Sequence, residues 1–298
     1  MYYKINNNNV KVSIPQNIIV PKSLEDDINK IATDFKVTCI REINVVKYNT
    51  DFLGMSVGEY KNNEKYSKIS LSTQLLDFSK TKPELYYECL AHEIQHSLNF
   101  EIFSSRIDYA KYLNLKNHIR TTNDLFFCYG VTFFDEYLAY LKGREYNPAI
   151  KDLKAIDFSG DDIYIRSSKF VKLAINIFKN PSYGKCIFLQ YQKKFEIFII
   201  DIIRLLSHKS SPTYMEAIEI ETKLKDNKLI ARYIEQIENQ LNHLYSTYPE
   251  CFSDDMCVDF GKTLFGIFEL VNVNINDDNG YYQFVRKVNT KLNTFWGK

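Results

Sequence analysis

Histidines at positions 92 and 96 enclose a glutamate at 93, in the run His92-Glu93-Ile94-Gln95-His96. Two histidines four apart on an α-helix lie on one face a turn apart and can meet one ion. The segment therefore reads as a helix, and the rest of the fold has to bring a further ligand to that helix. Glu93, directly after the first histidine, then lies beside the ion rather than on it, where it can take a proton from a metal-bound water. Zinc suits this chemistry because it lowers the pKa of its bound water from 15.7 to about 7.

A catalytic zinc site has three protein ligands and one open position. No third histidine follows at the spacing that would extend the motif: position 99 is Asn99, position 102 is Ile102, and the next histidine is His118. The run Phe133-Phe134-Asp135-Glu136-Tyr137-Leu138-Ala139-Tyr140 supplies a carboxylate instead. Glu136 is an acid in an apolar helical setting, which is costly unless it is paired or ligates a metal. Ala139 and Gly143 share its face and let the helix pack closely against the motif helix. Asp135 is the rival ligand, but it is shorter and points about 100° away. Glu88, Glu101 and Glu145 read as solvated helix acids.

Around the motif the pattern is α+β. Ser23 opens a helix with apolar residues at Leu24, Ile28, Ile31 and Phe35, and Asn6 to Asn9 is a polar turn or a frayed start. Val37–Tyr48, Leu53–Tyr60 and Tyr66–Ser72 read as strands of a small antiparallel sheet, with residues 61–65 as a hairpin loop. Thr81-Lys82-Pro83-Glu84 marks the start of the motif helix, with Thr81 as its cap and Pro83 in its first turn, and the helix runs to about Phe103. A second helix covers Asn123–Gly143. Beyond Pro148, the stretches Tyr164–Phe178, Tyr183–His208 and Pro212–Tyr245 read as charged helices. Val271, Val273 and Ile275 before a turn at residues 277–280 suggest a hairpin, with a final helix from about Tyr282 as the competing reading. The change of texture divides the chain into a core at residues 1–150 and a mostly helical region at 151–298.

His92-Glu93-x-x-His96, with Glu136-x-x-Ala139 on a later helix, resembles the gluzincin group of zinc metallopeptidases. The likeness covers roughly residues 25–146. It implies a zincin-like core of helix, small sheet, motif helix and glutamate helix. It also implies one zinc ion held by His92, His96 and Glu136, with Glu93 as general base for peptide-bond hydrolysis. The strand Tyr66–Ser72 would then be the edge on which an extended substrate pairs. In thermolysin-like members an aspartate follows the glutamate ligand by four residues. That position here is Tyr140, so the group orienting the first histidine has to come from elsewhere. The compact arrangement looks more like small intracellular members, including peptidases of mobile elements that cut repressors. Those often carry a helix-turn-helix, and no convincing one is present.

The oxyanion of such a reaction needs a donor. Tyr140, Arg144, Tyr146 and His118 are candidates among which the sequence does not choose. His208 and His243 read as satisfied structural histidines.

Composition narrows the setting. Lys and Arg total 38 against 37 Asp and Glu, so no global field favours nucleic acid or an anionic membrane. The basic run Lys291–Lys298 reads as a solvated tail. No apolar run reaches the roughly 18 residues of a spanning helix. The amino terminus has no secretory pattern, and the six cysteines form no CxxC pair, which favours reduced thiols in a cytoplasmic protein. The expected partner is a protein or peptide substrate, with oligomeric state undecided. Two other functions fit the same residues: a zinc-stabilised scaffold or protein-binding module that cleaves nothing, and an effector or toxin protease acting on one host protein.

Overall fold

The computed structural model describes residues 1–47, 53–62, 64–115, 118–146, 184–209, 228–270, 273–278 and 280–286. The readings at Tyr164–Phe178 and Lys291–Lys298 lie outside these residues, as does the side chain of His208. The chain forms two compact units. The first comprises Met1–Tyr109 with residues 135–158 and 204–217, and the second comprises Ala110–Phe134, residues 159–203 and residues 218–298.

The first unit is built on a five-stranded sheet. Strands β1 (Tyr2–Ile5), β2 (Asn8–Ser13), β3 (Ile40–Val46), β4 (Gly54–Lys61) and β5 (Glu64–Ser72) are ordered β1-β2-β3-β5-β4. The sheet is mixed rather than antiparallel. β1/β2 and β4/β5 are antiparallel hairpins, whereas β2/β3 and β3/β5 pair in parallel. The parallel pairs follow from the connections. Helix α1 (Leu24–Asp34) carries the chain from β2 back to the start of β3, and β4 folds over as a hairpin on β5.

The amino-terminal asparagines make a two-residue hairpin turn. Asn6 and Asn7 both have positive φ, 46° and 65°, as such a turn requires. The Asn6 amide then donates to the carbonyls of Ala32 and Val37, tying the hairpin to the end of α1. Leu24, Ile28, Ile31 and Ala32 form the buried face of α1. They join Ile43, Ile69, Leu71, Leu90, Ala91 and Ile94 in one core.

Helix α2 (Thr73–Thr81) separates the sheet from the motif helix α3 (Pro83–Arg106). Ser72 caps α2 by accepting the Leu75 N–H at 3.2 Å. Thr81 therefore closes α2 rather than opening α3, and its hydroxyl donates to the Asp77 carbonyl. Pro83 stands at the first turn of α3, behind Lys82, which makes no side-chain cap. Along α3, the polar Glu88, Glu93, Gln95, Ser97 and Asn99 are buried together with Leu90 and Ile94. Buried polar groups in number need partners or a task.

The second unit contains α4 (Tyr109–Leu115), of which Tyr109 falls in the first, and the start of α5 (Thr122–Tyr146). It also holds most of α6 (Gly184–Lys209), together with α7 (Lys228–Thr247), α8 (Asp254–Leu270) and the hairpin β6 (Val273–Asp278)–β7 (Tyr281–Arg286). The hairpin thus prevails over a terminal helix at residues 273–286. Gly130 of α5 and Gly261 of α8 let these helices touch backbone to backbone. A Cβ on Gly130 would stand 1.8 Å from the Cys257 carbonyl oxygen, and one on Gly261 1.8 Å from that of Phe126. His243 is exposed on α7, so it is a surface residue rather than a satisfied core histidine. Cys251 and Cys257 are both free thiols. Among the described residues no helix is long and apolar enough to cross a membrane.

Candidate metal centre

Helix α3 presents His92, Glu93 and His96 to the C-terminal half of α5, which presents Asp135, Glu136, Ala139 and Tyr140. Gly143 sets the spacing, since a Cβ there would lie 3.0 Å from the Glu88 carbonyl oxygen and 3.4 Å from the His92 Cβ. The small face expected of α5 thus performs the expected task. The structure brings His92, His96 and Glu136 together, with one ligand atom from each lying within 4.8 Å of the others.

The separations fit one small ion. Tetrahedral zinc with bonds of about 2.0–2.1 Å sets its ligand atoms about 3.3 Å apart. His92 Nε2 and His96 Nε2 are 3.1 Å apart. His92 Nε2 is 3.6 Å from Glu136 Oε2, and His96 Nε2 is 3.8 Å from Glu136 Oε1. This site is capable of coordinating a single Zn2+, in the arrangement of a zincin-type HExxH-plus-glutamate centre.

The far side of each imidazole is held as well. His96 Nδ1 donates to Asp135 Oδ2 at 2.9 Å. Asp135 is therefore not a ligand but the carboxylate that orients one. His92 hydrogen-bonds the backbone of Ala139, and the Tyr140 ring lies 4.6 Å from its own, centroid to centroid. The group that holds the first histidine is thus main chain, at the residue before the tyrosine.

Electrostatics favours a cation here. Burial pushes the Glu93 carboxyl up to about 8, with Glu136 and Asp135 adding to the rise while His96 and the Ser56 backbone oppose it. Burial, His96 and the arginines Arg204 and Arg144 hold His92 well below its usual value, so that it is neutral. Burial also disfavours charge on His96, but Asp135, Glu136 and Glu93 outweigh it and push that imidazole up to about 10. Glu93 and Glu136 flank the ligand nitrogens, with Asp135 behind His96, and a divalent ion between them would relieve the repulsion. Glu93 Oε2 is buried and has no hydrogen-bond partner among the described residues, which leaves one carboxylate atom for a group the chain does not supply.

Glu93 itself is seated on strand β4. A Cβ on Gly54 would stand 2.6 Å from Glu93 Cγ and 2.9 Å from its Cδ and Oε1. Two residues on, the Ser56 hydroxyl meets that of Ser97 at 3.1 Å. Gly58 then leaves room for the Phe100 ring, which its Cβ would approach to 2.2 Å. The sequence reading missed this Gly54-x-Ser56-x-Gly58 face. The signal was present, because glycine inside a strand marks a close backbone approach. It also missed Asn99 and Gln95, which support Asp135.

Three further expectations are corrected. Strand β5 lies between β3 and β4, so among the described residues the edges of the sheet are β1 and β4, and Tyr66–Ser72 is not an edge. Glu88 is buried rather than solvated, and it pairs with Arg144 at 3.6 Å. Glu101 accepts from the Thr38 N–H and hydroxyl at 2.8 and 2.6 Å. Glu145 is an exposed acid paired with Lys142, as its sequence position implied. Of the four oxyanion-donor candidates, only Tyr140 touches a ligand. Arg144 is engaged with Glu88, Tyr146 donates to Asp34, and His118 is exposed in the second unit. No protein-family model matches this sequence, and no curated protein or solved structure is significantly similar to it.

Proposed function

We propose that this chain is a zinc-dependent peptidase of the gluzincin kind, acting on a protein or peptide substrate. The observation that carries the reading is the buried, unpartnered Oε2 of Glu93 beside a three-ligand site. Zinc in that site would supply Lewis acidity, activating water and polarising the scissile carbonyl. His92, His96 and Glu136 would hold the ion. Glu93 takes a proton from the attacking water and delivers it to the leaving amine. Strand β4, at the end of the sheet, pairs with no further strand among the described residues and offers an edge on which an extended substrate can add.

The test is digestion of an unbiased peptide library by the zinc-loaded chain and by its Glu93→Gln variant. Wild type should cleave. The variant should retain zinc and lose turnover. Zinc in both proteins with cleavage by neither would make the site a scaffold.

A further inference from the structure

Asp135 is not held by His96 alone. Asn99, one helical turn beyond His96 and fully buried, reaches across to α5. Its Nδ2 donates to Asp135 Oδ1 at 2.7 Å and to the Asp135 backbone carbonyl at 3.2 Å. Its Oδ1 accepts from Gln95 Nε2 at 2.7 Å, and Gln95 is itself 3% exposed. The direction of the chain is fixed by chemistry. A carbonyl and a carboxylate can only accept, so the side of Asn99 that faces them has to be its NH2. The other side therefore has to be its oxygen, which the Gln95 donor matches.

We infer that Asn99 is a positioning residue that orients the Asp135 carboxylate, which in turn keeps the proton of His96 on Nδ1. With Oδ1 of Asp135 occupied by Asn99, Oδ2 faces His96 Nδ1 as a pure acceptor. The ring proton is then held on Nδ1, and the Nε2 lone pair points toward His92 and Glu136, where a metal would be bound. The relay Gln95, Asn99, Asp135, His96 is polar in one sense only, and its sense is set at Asp135. The inference concerns the metal site and does not depend on whether the chain cleaves peptides.

That polarity makes a swap experiment decisive. In Asp135→Asn, the Asn99 NH2 selects the oxygen of the new amide, which turns the new NH2 toward His96 Nδ1. Nδ1 then has to accept, and the proton moves to Nε2, where it blocks coordination. In Asn99→Asp with Asp135→Asn, the new carboxylate at 99 takes the NH2 of the amide at 135 and the amide oxygen again faces His96, while the loss of the donor to the residue-135 carbonyl keeps the rescue partial. Zinc affinity of the full chain, measured by competition with a chelating dye, should fall more than about 100-fold in Asp135→Asn. In the double variant it should recover at least tenfold. Asp135→Ala, which imposes no wrong tautomer, should lose only about 10–100-fold. Long-range 15N–1H spectra of histidine-labelled, zinc-loaded wild-type protein should show the His96 proton on Nδ1. If Asp135→Asn does not fold, Asn99→Ala, which frees the carboxylate to rotate, should weaken zinc about tenfold. Wild-type affinity in Asp135→Asn or Asn99→Ala, or a double variant no tighter than Asp135→Asn, would overturn the assignment.

Discussion

Gly54→Ala adds one methyl group at a position where the structure leaves no room for it. The new carbon would lie 2.6 Å from Glu93 Cγ and 2.9 Å from Cδ and Oε1, against an optimal carbon–carbon separation of about 3.5–4.0 Å. Glu93 is 6% exposed and cannot swing into solvent, so its side chain has to withdraw by about 1 Å. A misplacement of that size costs about 100-fold in rate, or roughly 2.7 kcal/mol of transition-state stabilisation. The ligands His92, His96 and Glu136 do not touch Gly54, so zinc content and KM should not change. Stability gives a second reading with a distinctive sign. Alanine in place of a strand glycine normally gains roughly 0.5–1 kcal/mol, whereas overpacking costs about 1–3 kcal/mol. Gly54→Ala should therefore lower the melting temperature in the wild-type background and raise it in a Glu93→Ala background, where the methyl has space. Gly58→Ala, opposed by Phe100, should be destabilising in both. The measurements are kcat and KM on a peptide taken from the library screen, zinc by elemental analysis, and thermal denaturation of the four proteins of the cycle. A Gly54→Ala variant with kcat within twofold of wild type and an unchanged melting temperature would refute the packing argument.

In the metal-free protein, His96 is raised from its ordinary 6.5 to about 10 and Glu93 from 4.5 to about 8. Both bind their proton more tightly when folded, so their contribution is full below the unfolded values and is lost as pH rises through the folded ones. The melting temperature without metal should fall between about pH 4.5 and 10, Glu93 acting over the lower part of that range and His96 over the upper, and zinc should flatten that fall by displacing the protons; equal slopes with and without zinc would count against it. Arg144→Leu removes the cation facing the buried Glu88 and should cost about 3–5 kcal/mol in denaturant unfolding, and a loss under 1 kcal/mol would show that the pair is not a buried one.

The motif helix was legible because histidines four apart on a helix share one face. Glu136 was legible because an acid amid Phe133, Phe134 and Leu138 needs a reason to be there. What escaped was information held between segments. Nothing local tells β2 to pair in parallel with β3 across an intervening helix, so an antiparallel sheet was the default. Whether β4 or β5 ends the sheet depends on that same pairing. Glu88 looked like a surface acid because its partner, Arg144, is on another helix. Asp135 and Glu136 were weighed as rivals for one task, yet adjacent positions on α5 take two tasks, one carboxylate facing the ion and the other facing the back of an imidazole. Asn99 stood at helical spacing from His96, but its role depends on α5, which lies 36 residues further along at Asp135.

The central claim is that two imidazoles and Glu136 hold one ion, and metal analysis tests it most directly. Protein purified without chelator and dialysed against metal-free buffer should carry one zinc per chain, and Glu136→Ala treated in the same way should carry none. Metal-free wild-type protein that takes up no zinc on addition, or a variant that keeps it in equal amount, would contradict the account.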